Sequence, residues 1–276
     1  MADIPASSYA LGNADAEHER LVRQAARFSP LTERLFREAG IGLGQRVLDL
    51  GSGVGDVALL AARLVGPSGE VLGIERDVRS MARARARVAE AGLSNVEFIQ
   101  SDVSEISTGK PFDAVVGRFI LMYVPDPAGT LRSLSRLLRP GGVLAFQEPA
   151  WVPVIALYAH LPLWSACASI IVEAFQRSGA NAEIGTALNR IFREAGLPAP
   201  TMHMDTVIGQ TPDFSQAIYD LLGSLRPGIE RNGLKLETLG DFSTLPQRLQ
   251  AELVASDGVA TWLGTVVAAW SRKSPG

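Results

Sequence analysis

The sequence predicts an α/β protein built on a doubly wound parallel sheet. Three observations carry that reading. Between residues 45 and 150, short apolar runs of strand length alternate with longer runs of helical period. The first strand-like run ends in a glycine-rich corner, VLDLGSGVGD at 47–56. Carboxylates or arginines then fall at the ends of the later strand-like runs, where ligands of open α/β sheets bind.

Taken in order, residues 14–39 have helical period, with Leu21, Ala25, Phe28, Leu31, Leu35 and Phe36 apolar. Pro30 is expected to break this stretch into two helices. QRVLDL reads as a buried strand, and VALLAARLVG as a helix stopped by Gly66 and Pro67. EVLGIE is a second strand and VRSMARARARVAEAGL a second helix, with Gly92 as its stop. NVEFIQSD and FDAVVGRF are the third and fourth strands, AGTLRSLSRLL a helix, and RPGGVLAFQEP a turn and fifth strand. Strands alternating with helices imply a parallel sheet covered on both faces, wound by right-handed crossovers. After Pro149 the chain turns apolar and aromatic, and 150–180 reads as mostly helical. IGTALNRIFREAGL is a further helix, PTMHMDTVIG a sixth strand, 213–256 helical again, and ATWLGTVVAAWSRK a closing strand.

At 276 residues and 47 % apolar, the chain can bury a sizeable core. Its formal charge of −3 gives no basic field for nucleic acid. The run RSMARARARVAE puts Arg79, Arg83 and Arg87 on one helix face without interleaved aromatics, which reads as a solvated face. Cys167 is the only cysteine, so neither an internal disulfide nor a multi-cysteine zinc site can form. It is expected to be a buried structural thiol. His18, His160 and His203 lack metal-ligand spacing, so no metal is expected. No secretory signal and no uninterrupted apolar run of about 18 residues appears. The expectation is a cytoplasmic protein with no membrane or nucleic-acid partner, monomer or homodimer.

The glycine corner admits three readings: a turn without ligand, a dinucleotide site, or an S-adenosylmethionine site. Gly51, Gly53 and Gly55 are spaced GxGxG, and the third glycine comes one residue earlier than in the dinucleotide fingerprint GxGxxG. Asp49 precedes the first glycine by two positions. VLDLGSGVGD thus resembles the first motif of the class I methyltransferases. Glycines there let backbone approach a ligand, and N–H groups at the helix start suit its carboxylate.

That resemblance implies a Rossmann-like, seven-stranded sheet with the last strand antiparallel, carrying helical lid additions. It implies S-adenosylmethionine as cofactor and S-adenosylhomocysteine as product. Asp49, Gly51, Ser52, Gly53 and Gly55 would form the amino-acid end of the site. Glu75, in GIERD, would accept from the ribose hydroxyls, with Arg76 beside the adenine. Asp102 and Val103, in FIQSDV, would meet the adenine edge. Arg118, in VVGRFILMYVPDP, would lie beneath the methyl-bearing end. The lead-in YALGNADAEHERLVRQAA is similar to that of bacterial small-molecule methyltransferases of the menaquinone-methylase-like group, which makes Tyr9 and Gln24 candidate cofactor contacts.

The domain plan is then N-terminal lid helices at 1–44, a cofactor-binding core at 45–149, and a helical insertion over the substrate site at 150–182. The remainder of the core follows at 183–276, with a second helical insertion at 213–256. Methyl transfer from a sulfonium needs mainly alignment and exclusion of water. A general base helps with a hydroxyl or protonated amine and is less needed for an electron-rich carbon. Candidate catalytic groups are Glu148, His160 and Tyr9; candidate acceptor contacts are Met122, Tyr123, Trp151 and Tyr158. The acceptor is expected to be a small, partly apolar metabolite methylated on O, N or C. A cofactor-binding relative that catalyses cyclisation or only binds ligand stays open as the alternative. No SPPY-like stretch of adenine and amide methylases follows the fourth strand, and the thiols of an arsenite-methylating relative are missing.

Overall fold

The computed structural model describes residues 15–101 and 109–274. Its first helix, α1 (Asp15–Glu38), runs unbroken through Pro30, which corrects the expected break. Pro30 and Ala26 are both exposed, so the carbonyl that loses its N–H partner can bond to water. Phe28 and Leu35, on either side, are each 1 % exposed and anchor both halves of the helix to the sheet.

The main sheet contains β1 (Arg46–Leu50), β2 (Glu70–Glu75), β3 (Val96–Gln100), β4 (Phe112–Arg118), β5 (Leu138–Ala150), β6 (Thr201–Asp205) and β9 (Thr265–Arg272). Their order is β3-β2-β1-β4-β5-β9-β6. The pairs among β1 to β5 are parallel. The last strand, β9, runs antiparallel between β5 and β6. This is the Rossmann-like sheet the sequence led us to expect.

Two of the expected strands are each divided. The stretch 200–209 splits into β6 and the short β7 (Ile208–Gly209), and the closing stretch into β8 (Ala260–Thr261) and β9. β7 and β8 pair with each other in a separate ribbon. The cause is a turn at Leu263 and Gly264, both at positive φ (53° and 90°), which redirects the chain before β9.

Strand alternation sorts the core into two layers. Val47, Val71, Val116 and Ala145 face α1, α2 (Asp56–Val65) and α3 (Val78–Glu90). Leu48, Val115, Leu144 and Phe146 face the opposite layer, which holds α4 (Pro127–Leu137) and α7 (Ile184–Glu194). In the arginine run, Arg87 departs from a solvated face: it pairs with Asp56 at 2.7 Å and is only 15 % exposed.

The two helical insertions pack into one cap. α5 (Val152–Leu157) and α6 (Pro162–Arg177) rest on α8 (Pro212–Arg231) and α9 (Leu245–Ala255). Glu252 of α9 accepts from the Leu163 N–H at 3.0 Å and the Trp164 N–H at 3.2 Å. A carboxylate at a helix N-terminus satisfies orphan donors and complements the helix dipole. The Trp164 indole donates to the Leu249 carbonyl at 3.1 Å, and Cys167 is fully buried beside it in the cap core. Ala150 lies opposite Thr265, so the chain leaves β5 and enters β9 at one edge of the sheet. That edge is the carboxyl end of the parallel strands, and the cap stands over it.

Candidate functional site

The carboxyl ends of β1, β2, β4 and β5 converge beneath this cap. At the end of β1 the chain turns through Gly51 (φ 64°) and Gly53 (φ 53°) before entering α2. A side chain on Gly51 would run into Ile120, whose Cδ1 would lie 2.5 Å away. At Gly53 a Cβ would meet nothing within 4 Å among the described residues, so among these the glycine bares its backbone to open space. Gly55 serves packing: a Cβ there would press on Ala84 of α3 at 3.1 Å. The Ser52 hydroxyl points back to the Ile74 carbonyl at 3.3 Å and braces the turn against β2.

Glu75 ends β2 at the rim of the same turn. It accepts from the Gly53 N–H at 2.8 Å with one oxygen and from the Arg76 and Asp77 N–H groups with the other. The Arg76 side chain is exposed. Asp77 caps α3 by accepting from Ser80.

Asp49 lies one alternation below the turn, 1 % exposed, and among the described residues neither carboxylate oxygen has a hydrogen-bond partner. Burial pushes its carboxyl well above the usual range, while Arg118 pulls the other way. Register places Asp49 opposite Val116, so Arg118, two residues on, shares its face. Burial also lowers the Arg118 guanidinium, against the raising effect of Asp56 and Asp49. Arg118 Nη1 donates to the Thr32 hydroxyl at 3.1 Å. Thr32, in α1, is 2.7 Å from Gln147 Oε1. Gln147 sits opposite Arg118 on β5, and among the described residues its buried Nε2 has no partner.

Immediately after Arg118, Phe119 adopts φ 56°. A bulky aromatic in the left-handed region is costly and is held only where its surroundings fix it. Here the Phe119 N–H donates to the Gln147 carbonyl at 2.9 Å, and its ring meets Phe28 edge-on at 5.5 Å. The turn delivers Ile120 onto Gly51.

The other expected site residues fall in two groups. Gln24 faces the seam between α1 and α8, where its side-chain oxygen accepts from Arg20 at 2.6 Å. Arg20 is also paired with Glu17 at 2.6 Å, and Glu17 accepts from Ser224 of α8. Met122 is buried and Tyr123 half-buried, on the short turn after β4. Tyr9, Asp102 and Val103 lie outside the described residues.

Of the remaining four, Glu148, Tyr158 and Trp151 are held by contacts within the fold, which corrects their expected roles. Glu148 is fully buried and accepts from the N–H groups of Ile120, Leu121 and Met122 at 2.9–3.3 Å. It clasps the turn after β4 from the face opposite Asp49 and is not a free base. Burial moves it up to about 8, against those N–H bonds. His160 is exposed, on the turn between α5 and α6. Tyr158 is fully buried; its hydroxyl meets the Thr261 hydroxyl at 2.6 Å and N–H at 3.0 Å. Trp151 is 3 % exposed and packs beside Gly264. Both aromatics build the cap core.

Thr32, Gln147 and Phe119 were not singled out in the sequence. A signal existed for Gln147: in a strand that pairs with VVGR, alternation puts either Gln147 or Glu148 beside Arg118, and only register decides which.

A family model described as a methyltransferase domain matches residues 42–196, more than half of the chain. The ubiquinone/menaquinone biosynthesis C-methyltransferase UbiE of Proteus mirabilis is 35 % identical over 125 residues, 44 % of this chain and 50 % of that protein. The chain spans about half the length of the first curated relatives it matches. Among solved structures, a protein from Bacillus halodurans superposes with a TM-score of 0.58 at 21 % identity, covering 88 % of this chain and 98 % of that one. The 4+2 cyclase SpnF superposes with a TM-score of 0.57 at 22 % identity, covering 90 % and 81 %. At those identities the likeness is one of fold.

Proposed function

We propose a function for a chain that belongs to the class I S-adenosylmethionine-dependent methyltransferase family: it transfers a methyl group from S-adenosylmethionine to a small, partly apolar, electron-rich metabolite. The observation that carries this is the pairing, among the described residues, of an open glycine backbone at Gly53 with a buried acid at Asp49 that lacks a hydrogen-bond partner. S-adenosylmethionine fits such a site, since it brings a cationic amino-acid end and a ribose with two hydroxyls. When bound, it supplies a methyl group already activated by its sulfonium.

The chain's residues would then divide the work. Gly51, Gly53 and the start of α2 would accommodate the amino-acid end, with Asp49 and Arg118 beneath it. Glu75 would exchange its bond from the Gly53 N–H for ribose hydroxyls, and Arg76 would cover the adenine. Gln24 on α1 and, beyond the described residues, Tyr9, Asp102 and Val103 are proposed as further contacts. The cap with α1 would exclude water, with Phe28, Phe119, Met122 and Tyr123 bordering the acceptor.

Two of the candidate bases argue for the kind of acceptor. Glu148 has both oxygens on backbone N–H groups, and His160 is exposed. Chemistry that rests on alignment suits an electron-rich acceptor, which needs no strong base. Incubation with methyl-labelled S-adenosylmethionine and an extract of small metabolites tests this. Label should move to a small acceptor. Cofactor binding without transfer to any acceptor would count against methyl transfer, and tight NAD binding without S-adenosylmethionine binding would sink the whole reading.

A further inference from the structure

We propose that Asp49 is the seat of a proton exchange: it is neutral in the ligand-free protein and releases its proton to solvent when a cationic group of the cofactor takes the place beside it. The proposal rests on the S-adenosylmethionine reading above and deepens it.

The geometry carries it. Asp49 is 1 % exposed, and among the described residues neither of its oxygens has a hydrogen-bond partner. An ionised carboxylate in that position is costly, because the described residues replace little of its lost water. The groups around it do not repair this. From β4, Arg118 draws Asp49 toward ionisation, and from α2 the Ala58 N–H does so more weakly; yet the Arg118 hydrogen bond goes to Thr32 on α1, and the Ala58 N–H does not reach hydrogen-bonding geometry. From β2, Glu75 opposes ionisation. From α2, Asp56 opposes it as well, and Asp56 is itself paired with Arg87 of α3. Gln147 on β5, on the same face, is neutral. Burial therefore dominates, and the acid stays protonated well above the usual carboxylate range.

A ligand cation reverses the balance. An opposite charge brought within a few ångströms of a buried acid favours its charged form. Binding and ionisation are then linked. Cofactor affinity rises with pH, by up to about tenfold per unit, while Asp49 is neutral in the free protein and ionised in the complex. Above the free protein's own titration the gain ends. No other covalent change is needed; the carboxyl loses its proton and gains an ion pair.

Isothermal titration of the full chain in buffers of different ionisation enthalpy measures the protons exchanged. S-adenosylmethionine should release close to one proton per bound molecule within that window, by the same linkage. S-adenosylhomocysteine keeps the ammonium but lacks the sulfonium. If it also releases the proton, the ammonium is the partner; if it does not, the sulfonium is. Methylthioadenosine has neither charge and should bind without release. Asp49→Asn mimics the neutral acid, so it should fold and bind more weakly with the proton exchange gone. Glu75→Gln should weaken binding but keep the exchange. Cofactor heats that are the same in every buffer for the unaltered protein would overturn the proposal. So would an Asp49→Asn variant that still releases the proton. Absence of any binding heat would instead overturn the cofactor reading itself.

Discussion

Asp49 and Glu148 are both carboxylates at the carboxyl ends of adjacent parts of one sheet, and both are hidden from solvent. They differ in company. Glu148 receives N–H groups from Ile120, Leu121 and Met122; among the described residues none reaches Asp49 in hydrogen-bonding geometry. Burial raises the titration of both, but only one has its hydrogen bonds met by the fold. A buried acid with satisfied oxygens holds structure, whereas one left unsatisfied calls for an outside partner. On the proposed function, the face of the sheet toward α1 and α2 is the binding side. The face toward α7 reads as the brace.

The comparison breaks most readily at Glu148. Glu148→Ala leaves three N–H groups without an acceptor, two of them buried and one half-buried, each buried one worth about 1–3 kcal/mol. Thermal or urea unfolding should show a loss of about 3 kcal/mol or more. Asp49→Ala should cost far less stability, because no protein hydrogen bond is lost. Equal losses at the two positions would erase the distinction.

A second expectation concerns pH. Glu148 titrates at about 8 in the folded chain against 4.5 for an ordinary Glu, so between those values the folded state holds the extra proton. Its contribution therefore favours folding near the lower value and is lost as pH rises toward about 8, by a few kcal/mol at most. Urea titrations across this range should show that decline, and Glu148→Gln should flatten it. Asp49 is raised in the same direction, so Asp49→Asn should flatten it too. The cofactor should restore stability at high pH only through Asp49.

On the binding side the effects are on affinity. Gly53→Ala strains a φ of 53° and places a methyl in the open space. Cofactor affinity should fall at least about tenfold, equivalent to ~1.4 kcal/mol, while the melting temperature moves little. The smallest effect is expected at Thr32→Val. It removes the hydroxyl between Arg118 and Gln147, at about 1 kcal/mol for a lost hydrogen bond. A shift in cofactor affinity alongside that loss would tie α1 to the binding side.

Much of this was legible in the sequence. VLDLGSGVGD, Glu75 and Arg118 occupy local positions, at strand ends and a tight turn, whose chemistry follows from neighbours in the chain. Local period and glycine spacing determined the α/β class, the sheet's first five strands and the cofactor corner. Pro30 misled because propensity speaks for a single residue, while Phe28 and Leu35 gain more by staying on one buried helix. Glu148 and Tyr158 misled for a different reason. A polar residue at a strand end or in an aromatic helix looks available until the fold brings it three N–H groups or Thr261 from far along the chain. Only the tertiary structure decided which of Gln147 and Glu148 shares a face with Asp49, since strand register is set by packing across the sheet. It alone merged two distant helical segments into one cap, because their apolar faces are buried against each other.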